Sequence, residues 1–98
     1  MAKKLLPMHP GEVLREEFLV PLDLSAGALA RTMGLPRTRI ERIVAEEVGI
    51  SADTALRLGK ALGTTPQLWL NLQSDYDLQM AELQIGKALA KIAPVAAA

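Results

Sequence analysis

Residues 25–44 read Ser25-Ala-Gly-Ala-Leu-Ala-Arg-Thr-Met-Gly-Leu-Pro-Arg-Thr-Arg-Ile-Glu-Arg-Ile-Val44. Four positions decide how this stretch folds: Ala30, Gly34, Ile40 and Ile43. Two short helices that cross steeply and closely need a small residue where they touch, and Ala30 supplies it. The turn between them needs a residue that tolerates positive φ, and Gly34 stands there. Ile40 and Ile43 give the second helix a branched apolar face to pack back on the first, with Leu29, Met33 and Leu35 completing the set. The spacing predicts a helix-turn-helix.

The outer side of the second helix is the informative one. Arg37, Thr38, Arg39 and Arg42 fall in or near its N-terminal half, the part that enters the major groove in this motif. Arginine can fork onto guanine O6 and N7, threonine can touch a base edge or a phosphate, and a helix N-terminus favours phosphate. Arg31, Arg37, Arg39 and Arg42 against Glu41 alone give the stretch a local charge of +3. Ser25, Arg31, Arg37, Thr38, Arg39 and Arg42 are therefore the candidate contacts to double-stranded DNA. The plainer alternative is a solvated arginine-rich face.

Outward from this motif, glycine, proline and capping residues divide the chain into five helices. His9-Pro10 starts the first, with proline near N1 and Glu12, Glu16 and Glu17 toward the positive end of its dipole. Leu14 and Phe18, four apart, share a face, and Pro21 ends the segment. Ser25 caps the second helix, which runs to Met33 and stops at Gly34. Pro36 opens a third, to about Ala45. Ser51 caps a fourth, where Ala55, Leu58 and Leu62 recur at helical spacing and Gly63 closes it. Thr65-Pro66 begins a longer fifth helix with Trp69, Leu72, Tyr76, Met80 and Leu83 at steps of three and four. Nothing reads as a strand. The expectation is an all-α fold: a short segment 1–8, a domain over 9–93 ending in the long helix, and a frayed tail 94–98.

The composition removes whole classes of function. The 98 residues carry eleven Lys plus Arg and eleven Asp plus Glu, one His and no Cys. Without cysteine there is no disulfide framework, thiolate nucleophile or thiolate metal site, and one histidine leaves no metal cluster. Ser25 and Ser51 are caps, with no histidine placed to activate either as a nucleophile. Glu16-Glu17 and Glu46-Glu47 are adjacent on the chain and point about 100° apart on a helix, so neither is a paired-carboxylate site. No enzyme, cofactor, metal or small-molecule substrate is expected. Pro7, His9 and Glu12 interrupt any secretion signal, and no apolar run approaches the roughly 20 residues that span a bilayer. A cytoplasmic protein without membrane association is the expectation.

Several blocks of this sequence resemble one family. They are His9-Pro-Gly-Glu-Val-Leu-Arg-Glu-Glu-Phe-Leu19, Leu24-Ser25, Leu29-Ala-Arg31, Pro36-Arg-Thr-Arg-Ile40, Ser51-Ala-Asp-Thr-Ala-Leu-Arg-Leu58 and Leu62-Gly-Thr-Thr-Pro-Gln-Leu-Trp-Leu-Asn-Leu-Gln73. Together they are similar to the HigA-type antitoxins, which belong to the Xre/Cro-like (lambda-repressor-like) helix-turn-helix proteins. The resemblance implies a five-helix, lambda-repressor-like domain acting as a dimeric repressor at operator DNA of its own operon. It also implies a HigB-type toxin as partner, a RelE-like ribosome-dependent mRNA endonuclease, bound by the folded domain through the first helix and the surface near the N-terminus, with no particular residues indicated.

Two departures from the family pattern bear on DNA binding. Ala26 stands where glutamine is common, followed by the helix-weakening Gly27. The connection after the second helix of the motif, usually rich in Arg and Gly, reads Ala45-Glu-Glu-Val-Gly49. Two carboxylates beside a phosphate backbone repel it, so few phosphate contacts and a shallow salt dependence are expected. On the fifth helix, Trp69, Leu70, Leu72, Tyr76 and Met80 form either core or a homodimer surface. Two other outcomes stay open: a stand-alone transcription regulator, and a protein-interaction module that kept this fold without binding DNA.

Overall fold

The computed structural model describes residues 7–96. Residues 1–6 of the expected N-terminal segment and 97–98 of the expected tail lie outside the described residues. The elements in chain order are α1 (Pro10–Val13), running without a break into a π-helical stretch (Leu14–Leu19), then α2 (Ala26–Met33), α3 (Arg37–Val44), α4 (Ala52–Leu62) and α5 (Pro66–Ala90). Among the described residues there is no strand.

The caps act where their side chains predict. The Oγ of Ser25, Ser51 and Thr65 accepts the N–H of Ala28, Thr54 and Leu68, satisfying donors that a helix N-terminus leaves orphaned. His9 does the same for α1, its Nδ1 accepting the Gly11 N–H at 2.9 Å. Gly34 and Gly63 close α2 and α4 in the left-handed region, at φ 71° and 73°.

The first helix departs from the expected α winding. The Val20 N–H bonds to the Arg15 carbonyl and the Leu24 N–H to the Leu19 carbonyl, each five residues back. Wider winding puts residues five apart on one side, so the inward pair is Leu14 and Leu19 rather than Leu14 and Phe18. Phe18 is half-buried and tilts against Trp69, ring centroids 5.3 Å apart.

One core unites all five helices: Leu14 and Leu19, Leu29, Ala30 and Met33 from α2, Ile40 and Ile43 from α3, Ile50, Ala55 and Leu58, and Trp69 from α5. Trp69 is fully buried, and its indole N–H donates to Thr64 Oγ1 at 2.8 Å. Its place is therefore the core of the single chain. Leu70 and Leu72 pack partly against that core, Tyr76 and Met80 are half-buried, and Tyr76 meets the buried His9 ring edge-on at 4.8 Å. Gly11 sets how closely α1 approaches α3, since a Cβ there would lie 1.8 Å from the Ile43 carbonyl oxygen.

Beyond Met80 the long helix leaves the core. Every residue from Ala81 to Ala96 is exposed, and non-helical torsions at Ile85 (φ −116°, ψ 16°) interrupt α5. The radius of gyration is 16.5 Å, against about 13 Å for a compact chain of about 100 residues. Leu83, Ile85, Leu89, Ile92 and Val95 are exposed large apolar side chains here, with Leu78 exposed just before. Among the described residues no helix is long and apolar enough to cross a membrane.

Candidate nucleic-acid interface

α2 and α3 make the predicted unit. Ala30 is buried at their crossing, Gly34 turns the chain, and Leu35 N–H returns to the Ala30 carbonyl at 2.9 Å. Ile40 and Ile43 have no exposed surface, so the rotation of α3 about its own axis is fixed by packing. Arg57 of α4 adds a brace, donating from Nη1 to the Met33 carbonyl at the end of α2 at 2.7 Å.

With that rotation fixed, Arg37, Thr38, Arg39, Glu41 and Arg42 all face outward. They divide between two flanks. Arg37 and Thr38 join Gly27 and Arg31 around a shallow depression on the α2 side. Arg39, Arg42 and again Thr38 line an open cleft on the α4 side, with Ser51 and Thr54 opposite. Thr38 thus sits on the ridge between the flanks. Ser25 and Arg31 are exposed on α2, with the Ser25 hydroxyl engaged as a cap. Gly27 has a positive role, because a Cβ there would come within 3.0 Å of Arg37 Cδ. Its absence lets the Arg37 stem lie beside α2.

The arginines are held lightly. Arg37 pairs with Glu41 at 3.2 Å and Arg42 with Glu47 at 3.6 Å, both exposed. Such surface pairs contribute about 0–1 kcal/mol, so either guanidinium can be given up to a stronger acceptor such as phosphate at little cost. The acidic connection is less bare than its sequence suggests. Glu46, at φ 64°, takes a bond from Arg15 Nη2 at 3.3 Å, while Arg15 Nη1 donates to the Val44 carbonyl. One arginine from the first helix therefore holds both the end of α3 and the loop after it.

The family pattern for helix-turn-helix proteins matches residues 14–69. The chain is 56% identical to virulence-associated protein I of Dichelobacter nodosus over 75 residues, 76% of this chain and 69% of that one. It is 40% identical to antitoxin HigA-1 of Vibrio cholerae over 75 residues, 76% of this chain and 70% of that one. Antitoxin HigA of Pseudomonas aeruginosa, solved with the higBA promoter, superposes with a TM-score of 0.88 at 46% identity, covering 92% of this chain and 99% of that one. The chain belongs to the helix-turn-helix family of HigA-type antitoxins. That family is one of DNA-binding antitoxins and regulators, not of enzymes.

Against this HigA-type frame, sequence reasoning missed the residues that position α3. Arg15, Gly11 and Arg57 act on α3 or α2 through carbonyls 24 to 32 positions distant in the chain, and no local spacing announces such partners. Gln73 is a fourth, its Oε1 accepting the Ile50 N–H at 2.7 Å where the loop meets α5. Among the described residues no group of three or more His, Asp or Glu side chains is placed to hold a metal ion.

Proposed function

We propose that this chain is the antitoxin of a toxin–antitoxin pair, a dimeric autorepressor that binds operator DNA through α3 and neutralises a HigB-type, RelE-like mRNA endonuclease. The single observation that carries the DNA-binding part is the outward face of α3. Arg37, Thr38, Arg39 and Arg42 project from a helix whose rotation is fixed by Ile40 and Ile43. Ser25 and Arg31 contribute from α2. A relative of the same fold, 46% identical, was solved with promoter DNA, which supports the same use of this surface here.

The homodimer is joined through the outer part of α5. Leu78, Leu83, Ile85 and Leu89 are exposed large apolar side chains that one copy does not cover, and a twofold pairing that covers them does so in both copies at once. Two recognition helices must lie about 34 Å apart to read successive major grooves on one side of the duplex. A twofold pairing through α5, whose helical path is interrupted at Ile85, is the arrangement that sets this separation. A stand-alone regulator remains the second reading, favoured by a 42% identical relative from Haemophilus influenzae described only as an uncharacterised helix-turn-helix transcriptional regulator.

The test is a gel shift on the protein's own promoter with co-expression of any small basic reading frame beside its gene. A sequence-dependent shift, together with rescue of growth from that neighbour's toxicity, is the expected result. A shift without a toxic neighbour leaves the stand-alone regulator, and no shift removes DNA binding altogether.

A further inference from the structure

The α4-side flank of α3 has a chemistry of its own. Arg39 donates from Nη1 to Thr54 Oγ1 at 3.3 Å, and Thr54 is 1% exposed. The Ser51 hydroxyl donates to the same oxygen at 3.2 Å while accepting the Thr54 N–H. A hydroxyl that accepts two bonds keeps its own proton to donate. Arg39 therefore presents a guanidinium held at one corner by a buried, immobile hydroxyl, with most of its five N–H donors still available. Arg42, one helical turn on, lines the same open cleft of about 450 Å³. No carboxylate lines it: Asp53, in the first turn of α4, pairs with Arg57 at 3.2 Å, and Glu47 pairs with Arg42 at 3.6 Å.

We infer that this cleft takes one phosphate group, and that Arg39 is a phosphate-positioning residue rather than a reader of bases. Reading a base edge requires the guanidinium to extend from the outer ridge of α3 into the groove. Arg39 instead lies back toward α4, where its guanidinium and that of Arg42 line one cleft whose wall includes Thr54, so that the two cationic forks face a site suited to an anion with several acceptor oxygens. Base discrimination then falls to Arg37 and Thr38 on the other flank and the ridge. The inference rests on α3 being the DNA-facing helix, with a backbone phosphate as occupant; a free phosphate presents the same chemistry.

The test measures binding by fluorescence anisotropy to a promoter duplex and to a scrambled duplex of equal length, across a range of salt. Arg39→Ala is expected to weaken both by the same factor, about tenfold at low salt, and to lower the slope of log K against log salt by about one. The preference for promoter over scrambled duplex stays unchanged. Thr54→Val, which keeps the shape and removes the hydroxyl, weakens both equally by a few-fold, and Arg39→Lys restores part of the affinity. Melting temperatures of the variants separate these effects from loss of fold. A loss confined to the promoter duplex makes Arg39 a base reader and overturns the inference, as does unchanged binding to both. A second arm titrates inorganic phosphate alone and follows the amide resonances of residues 51–54 by NMR. Should the parent bind neither duplex, saturable shifts that Arg39→Ala abolishes would leave the phosphate site standing while the DNA reading fails. Their absence in that case would end both.

Discussion

α3 and the outer part of α5 both stand exposed, but α3 exposes arginine and threonine whereas α5 exposes Leu78, Leu83, Ile85 and Leu89. α3 has a fully buried inner side in Ile40 and Ile43 and is tied at its C-terminal end by Arg15, with α1 packed close against it at Gly11. α5 beyond Met80 has no buried side at all. A helix that is polar outside and seated inside is complete as it stands and suits a polyanionic partner. A helix that leaves several large apolar side chains exposed and unseated gains most from a second apolar surface. The two helices thus call for different partners, and they can be broken separately.

The largest expected effect removes what both share. Trp69 roots α5 in the core beside α4 and the Phe18 ring, so Trp69→Ala should destabilise the fold by about 3–5 kcal/mol in urea unfolding. A loss below about 1 kcal/mol would show that the core does not depend on it.

Next comes the α5 surface alone. The double change Leu83→Asp with Leu89→Asp should leave the five-helix core as stable as before and give a monomer by sedimentation. Operator affinity should fall on the order of a hundredfold, because two half-site contacts no longer act as one. A variant that remains dimeric would move the interface elsewhere.

On the other side of the comparison, Arg37→Ala should leave dimerisation intact and reduce operator binding by about 1–3 kcal/mol, relaxing preference at one base position. Equal losses on every sequence would make Arg37 a phosphate contact and undo the division between the two flanks of α3.

The smallest effect concerns the joint between the two regions. His9 lies buried between the start of α1 and Tyr76 of α5, and burial lowers its pKa despite the opposing pull of the Glu46 and Asp77 carboxylates. A folded-state pKa below the unfolded value of about 6.5 means that the unfolded chain takes up the proton first. Stability from His9 is therefore complete above about pH 6.5 and is lost as the pH falls below it. Protonated Nδ1 also cannot accept the Gly11 N–H, so the loss should be on the order of 1 kcal/mol, the size of a helix cap. His9→Asn keeps a capping acceptor without titrating there, and its urea midpoint should not share this drop between pH 7.5 and pH 5.

How much of this was legible in the chain depended on the range of each interaction. Ala30, Gly34, Ile40 and Ile43 lie within 14 positions and act on one another, so their spacing alone specifies the motif, and the caps at Ser25 and Ser51 are legible for the same reason. The π winding was not, because a search at helical period four pairs Leu14 with Phe18 and passes over Leu19. The stripe on α5 showed its period but not its partner: burial against the same chain and against a second copy leave the same pattern. Arg39 looked equivalent to Arg37 until α4 was in place, since only the position of Thr54 shows which way Arg39 turns. The Glu46-Glu47 connection looked like bare negative charge because the arginine that holds Glu46 sits 31 positions earlier.

The most direct test of α3 as the DNA-reading surface is competition, in one anisotropy experiment at physiological salt, between the chain's own promoter duplex and a scrambled duplex. Preference for the promoter by about a thousandfold or more, cut sharply by Arg37→Ala in a protein that remains folded and dimeric, is the expected result. Equal affinity for the two duplexes, or a preference that survives loss of Arg37 and Thr38 together, would contradict it.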